Sequence, residues 1–167
     1  MAEPPKGQAI LDQLKQAGIE FVVSLPDKMT AGLVDLIVRD PSFRFVPVCK
    51  EDEGVSICSA LSFGDKRAVL VTQHTGVLDS VNSLRTVAAE FKHPLVMIVG
   101  LLTKEPGVKP TESKRVGIRI IEPLLDLLDI SHVIVEKEGD EAQIGNLIEE
   151  AYSTPKPVAI LIGRAVV

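Results

Sequence analysis

The rhythm of its apolar runs constrains this chain more than any other feature. Short stretches rich in Val, Ile and Leu recur at 21–25, 43–48, 68–72, 95–101, 131–136 and 157–163. Strands buried on both faces read in this way, as brief continuous apolar runs, because helices cover the two sides of a parallel sheet. The segments between them carry helical spacing. Residues 7–17 put Ile10, Leu11 and Leu14 on one face and stop at Gly18, a residue suited to the left-handed C-terminal position. A second helix is expected from about Thr30, with Leu33, Val34, Leu36, Ile37 and Val38 on it, ending near Asp40-Pro41.

Residues 54–63 carry small side chains at Ser56, Ser59, Ala60 and Ser62, which predicts a helix pressed closely against the sheet or another chain. Residues 76–90 read as one helix with Val77, Val81, Leu84, Val87 and Ala88 on a side. The run LVMIVGL at 95–101 is the most apolar and is expected to be a central strand. Residues 102–114, with two prolines, a glycine and many charges, read as a loop. Helices are expected at 118–128 and 138–152. Regular alternation of strand and helix predicts an α/β fold: three αβα layers around an open, mainly parallel six-stranded sheet, with residues 1–167 as one domain.

Composition narrows the function. Aromatic residues make up 4% of the chain and Trp is absent, so the core must be aliphatic. The net charge of -5 gives no bulk attraction for a phosphate backbone, and no nucleic-acid partner is expected. No apolar stretch approaches the ~20 residues of a membrane span. The first residues, MAEPPKG, lack the apolar core of a secretory leader, so a cytoplasmic chain is expected. Cys49 and Cys58 have no metal-ligand spacing and read as small hydrophobes in a reducing cytosol.

Polar groups cluster where strands give way to helices. Glu51, Asp52 and Glu53 follow the second apolar run, and Gln73-His74-Thr75-Gly76 follows the third. In open α/β sheets ligands bind at such strand ends. Capping competes with this reading: a carboxylate in a first helical turn also favours the helix dipole, and Gln73 and Thr75 suit a helix start with His74 on the surface. Asp52 and Glu53 read as cap and surface groups. His93 and His132 read as ordinary loop or edge histidines. No nucleophile elbow, dinucleotide fingerprint or P-loop is present.

The order of these motifs resembles the pyrimidine-binding domain of thiamine-diphosphate enzymes, in the group of sulfopyruvate and phosphonopyruvate decarboxylases. The resemblance rests on Leu25-Pro26-Asp27 after the first strand, Glu51 after the second, Gln73-His74-Thr75-Gly76-Val77-Leu78-Asp79 with Asn82 after the third, and the closing I-L-I-G-R. It covers nearly the whole chain. Counting from the strand aligns Glu51 with the family's glutamate; counting back from Gly54 would choose Asp52. Strand register slips less easily than helix length, so Glu51 is preferred.

The resemblance implies that Glu51 bonds N1′ of the cofactor's aminopyrimidine and so promotes deprotonation of the thiazolium C2, the nucleophile that attacks a 2-oxo acid. It implies cofactor contacts at Gln73, Thr75, Gly76 and Asn82, and substrate contacts at Pro26, Asp27, Lys28 and His74. Lys28 or the basic residues of 103–115 are further candidates for pairing with an anionic substrate tail. His74 and Thr75 stand in place of a smaller pair, and Leu78-Asp79 in place of Gly-Asn, which leaves the substrate open. The family's G-D-G motif for diphosphate and Mg²⁺ has no counterpart, since Gly64-Asp65-Lys66 and Gly139-Asp140-Glu141 do not fit. A separate beta subunit is therefore expected to hold diphosphate and Mg²⁺, giving a hetero-oligomer that decarboxylates a small anionic 2-oxo acid. The alternative is a non-catalytic α/β binding or assembly module whose carboxylates merely cap helices.

Overall fold

A computed structural model describes residues 2–167. Six parallel strands form one sheet in the order β2-β1-β3-β4-β6-β5. They are β1 (Phe21–Ser24), β2 (Arg44–Pro47), β3 (Ala68–Gln73), β4 (Leu95–Gly100), β5 (Ser131–Val135) and β6 (Pro157–Ile162). Every strand expected from the apolar runs is present, with ends shifted by a residue or two. Both β3 and β4 are interior, and β4 is buried along its whole length.

Side-chain alternation along each strand feeds two separate cores. Val69, Val71, Val96 and Ile98 face α1 (Gly7–Gln16), α2 (Ala31–Arg39) and α8 (Ile144–Ser153), meeting Ile10, Leu14, Leu33, Ile37 and Ile148. Leu70, Met97 and Val99 face the other layer, meeting Val55, Cys58, Leu84, Ile118 and Leu125. That second layer contains α3 (Glu51–Ser62), α4 (His74–Asp79), α5 (Val81–Ser83), α6 (Val116–Arg119) and α7 (Ile121–Leu127). Each fully buried Leu or Ile contributes about 1.5–3 kcal/mol, so the two cores rest mainly on aliphatic side chains, with Phe43 the buried aromatic of the first.

Close packing of α3 falls on the sheet side. A Cβ at Gly54 would stand 2.6 Å from Leu70 Cδ1, so the glycine sets how near the helix lies to β3. The helix expected over 76–90 is different in detail. It starts earlier, at His74, breaks at the buried Ser80, and continues through α5 into a π-helical stretch, Leu84–Glu90. The helix expected over 118–128 is two short ones, α6 and α7, and that over 138–152 begins as a 3₁₀ turn, Asp140–Gln143. Among the described residues no helix is long and apolar enough to cross a membrane.

Candidate active site

The parallel order puts β1 beside β3 and β3 beside β4, so the turns leaving these three strands share one edge of the sheet. Glu51 is the first residue of α3, after β2. Its side chain lies across the Cα of Gly76: a Cβ there would fall 2.3 Å from Glu51 Cγ and 2.5 Å from its Oε1. Thr72 Oγ1 closes the same spot at 2.4 Å. Only glycine fits at 76 while Glu51 keeps this position.

The three acidic residues divide their work. Asp52 Oδ1 accepts from the Glu53 N–H at 2.9 Å, and Glu53 Oε2 from the Cys49 N–H at 3.4 Å. These are the local bonds of a helix start. Glu51 is half-buried, and its carboxylate accepts no hydrogen bond and forms no ion pair among the described residues. Asp52 and Glu53 thus bond within their own turn, and Glu51 has no such partner among the described residues.

A second carboxylate, Asp27, is already satisfied. Its Oδ1 accepts from the Met29 N–H at 2.9 Å and its Oδ2 from Thr30 Oγ1 at 3.1 Å. Gln73 Nε2 donates to Oδ1 at 3.4 Å, and Thr75 Oγ1 donates to Gln73 Oε1 at 2.9 Å. Neither Gln73 nor Thr75 caps α4; they form a polar chain across the ends of β1 and β3. Asp27 is pressed against β4 as well, since a Cβ at Gly100 would lie 2.2 Å from its Oδ2.

His74 is buried beside this chain, with Nδ1 3.3 Å from the Gly100 carbonyl oxygen. A carbonyl only accepts, so this contact puts the proton on Nδ1 and leaves Nε2 an acceptor. Burial pushes the imidazole pKa below its ordinary value, against the opposing pull of the Gly100 carbonyl and the charge of Asp27. His74 is thus neutral, and it offers hydrogen bonding, where a cation would offer ion pairing. Gly117 of α6 covers its far edge, with an added Cβ only 3.2 Å from Nε2.

The structure brings together Glu51, Gly76, Gln73, Thr75, Asp27 and His74. Pro26 and Lys28 flank Asp27 on the exposed rim. Asn82 stands apart: it is exposed on α5, and its Oδ1 accepts from Arg85 at 3.1 Å. Sequence reasoning passed over Thr30, Gly100 and Gly117. Gly100 carried a signal, because glycine ending an otherwise apolar central strand marks a close approach. Gly117 carried none, as its partner is 43 positions away. Cys58 is buried, as expected of a small hydrophobe, whereas Cys49 is exposed, against that expectation.

The family of the thiamine pyrophosphate enzyme N-terminal TPP binding domain matches residues 6–106, more than half the chain. The chain belongs to this family. Both strand ends carrying Glu51 and Gly76, and all of β1 to β4, fall within the matched part of this TPP binding domain. It is 28% identical over 156 residues to sulfopyruvate decarboxylase subunit alpha of Methanothermobacter thermautotrophicus, covering 93% of each chain. The corresponding subunit of Methanocaldococcus jannaschii is 29% identical over 161 residues, covering 92% of this chain and 90% of that one. Phosphonopyruvate decarboxylase of Streptomyces viridochromogenes is 25% identical over 124 residues, 74% of this chain but 31% of its own length.

The domain's cofactor fits the residues present. A half-buried carboxylate without a donor, lying across the Cα of Gly76, suits a ring nitrogen of an aminopyrimidine. The expectation of a thiamine-diphosphate enzyme component built on a three-layer α/β fold is borne out.

Proposed function

We propose that this chain is the alpha component of a thiamine-diphosphate-dependent decarboxylase acting on a small 2-oxo acid with a second anionic group. One observation carries the reading: Glu51 is half-buried across Gly76 and has no donor within the described chain. The names of the similar subunits support the reaction, and the missing G-D-G motif supports a beta subunit that holds diphosphate and Mg²⁺.

In this reading Glu51 would hold the cofactor's aminopyrimidine and would give or take a proton at its own carboxyl group. A carboxyl group suits the role because it both donates and accepts at one atom pair. The cofactor, when bound, supplies a carbon nucleophile and an electron sink for the leaving carboxylate. Gly76 keeps the space above its Cα for the Glu51 side chain. Gln73 and Thr75 line the cofactor side of the cleft, with Asn82 further along the same segment. Asp27 fixes the turn that presents Pro26 and Lys28, and neutral His74, bonded to the Gly100 carbonyl, shapes the substrate side of the cleft from beneath. The partner domain closes the cleft and excludes water.

Co-expression with the chain encoded beside it tests the reading. The complex should release carbon dioxide from sulfopyruvate or phosphonopyruvate only with thiamine diphosphate and Mg²⁺ present. Glu51→Gln should lower that turnover at least about 100-fold while leaving the complex assembled. Intact turnover in Glu51→Gln would remove the role of Glu51, and tight cofactor binding by the lone chain would remove the split site.

A further inference from the structure

The segment between β4 and α7 returns to the site as a braced, positively charged arm. Residues 102–119 hold five cations, Lys104, Lys109, Lys114, Arg115 and Arg119, against two carboxylates, Glu105 and Glu112. This is the reverse of the chain's overall balance of -5.

Internal bonds fix the arm's shape. Lys104 has no side-chain exposure and pairs with Glu136 at 2.7 Å, and Glu136 also accepts from the Gly107 N–H at 3.2 Å. Ser113, buried, is a hub. Its hydroxyl donates to Glu105 Oε2 at 2.6 Å and accepts from the Arg115 N–H at 3.1 Å, while its carbonyl accepts from Arg119 at 2.8 Å. Glu105 also accepts from the Lys114 N–H at 3.2 Å. These bonds use Lys104, Arg119 and Glu105. The side chains of Lys114 and Arg115 are exposed and form no ion pair or hydrogen bond among the described residues.

The place of the arm matters as much as its charge. Gly117, two residues after Arg115, sits against the His74 imidazole. Lys114 and Arg115 are thus carried, three and two residues before Gly117, on the segment that lies against His74. Val116, the next residue after them, is 60% exposed, which leaves an apolar side chain for the occupied complex to cover. A loop whose backbone is fixed while two adjacent cations stay unpaired is preorganised for an anion, because its ordering entropy is spent on folding rather than on binding.

Resting on the proposed reaction, we infer that Arg115, with Lys114 beside it, is the specificity element that binds the sulfonate or phosphonate group of the substrate. A guanidinium matches two oxygens of such a group at once, which an ammonium does not. Ser113 and Glu105 are positioning residues that hold Arg115 in place.

Binding of 3-sulfopropanoate and of propanoate to the cofactor-loaded complex tests this by calorimetry, because neither compound is decarboxylated. Arg115→Gln should weaken 3-sulfopropanoate about 10- to 100-fold and leave propanoate unchanged. Arg115→Lys should recover part of the loss. Ser113→Ala should weaken the same ligand by less, in step with faster amide exchange over residues 113–119. Selective loss of 3-sulfopropanoate in Arg115→Gln supports the subsite even in a complex that releases no carbon dioxide. Equal weakening of both ligands, or none, overturns it.

Discussion

Glu51 and Gly76 occupy one volume from two strands: a Cβ at Gly76 would stand 2.3 Å from Glu51 Cγ. The glycine is a condition for the carboxylate's position, and the pair joins the turn after β2 to the turn after β3. Gly76→Ala should therefore displace Glu51 and cost about 1–3 kcal/mol by overpacking. Denaturant midpoints measure the stability loss. Turnover of the complex should fall as far as in Glu51→Gln, although Glu51 itself is unchanged.

His74 makes stability depend on pH. Its pKa in the folded chain is lowered, chiefly by burial, from an unfolded value near 6.5. The unfolded chain therefore binds the proton first. The contribution of the neutral ring is fully present above pH 6.5 and is lost as pH falls through the folded value. Urea denaturation at pH 7.5, 6.5 and 5.5 should show wild type losing stability on acidification. In His74→Gln this slope should be smaller, and an unchanged slope would assign the loss to other groups.

The buried end of Lys104 faces Glu136 at 2.7 Å. Lys104→Met removes the cation and leaves a carboxylate that is only a quarter exposed. The expected cost is about 2–3 kcal/mol, below that of a fully buried pair because Glu136 keeps some solvent. Amide exchange should quicken first over 102–119, where Glu136 also holds Gly107.

The two thiols should differ sharply. Burial pushes the Cys58 thiol far above its usual range, and Cys49 is exposed. An aromatic disulfide reagent should modify one equivalent, Cys49, in the native chain. Cys58 should react only on unfolding.

Much of the fold was legible because its cause is local. A strand buried on two faces must be a short apolar run, and FVVS, AVLVTQ and LVMIVG are such runs wherever they pair. Helix interruptions were not legible. The break at Ser80 and the split between α6 and α7 leave the apolar spacing intact, so periodicity reads straight through them. At the site, Glu51 stood out by its place after a strand. Periodicity could not show that Asp52 and Glu53 bond locally while Glu51 lacks a partner.

The sequence by itself determined two-sided strands, an aliphatic core, the acidic cluster and the family likeness, all written in neighbouring residues. Tertiary structure decided which of these meet. Strand order placed β1, β3 and β4 side by side, so Asp27, Gln73 and His74 converge with Gly100. The crossover through 102–119 laid Gly117 on His74. Such contacts join residues tens of positions apart, where no spacing rule operates. They are fixed by how closely backbones approach, and at Gly76, Gly100 and Gly117 that approach is set by the absence of a side chain.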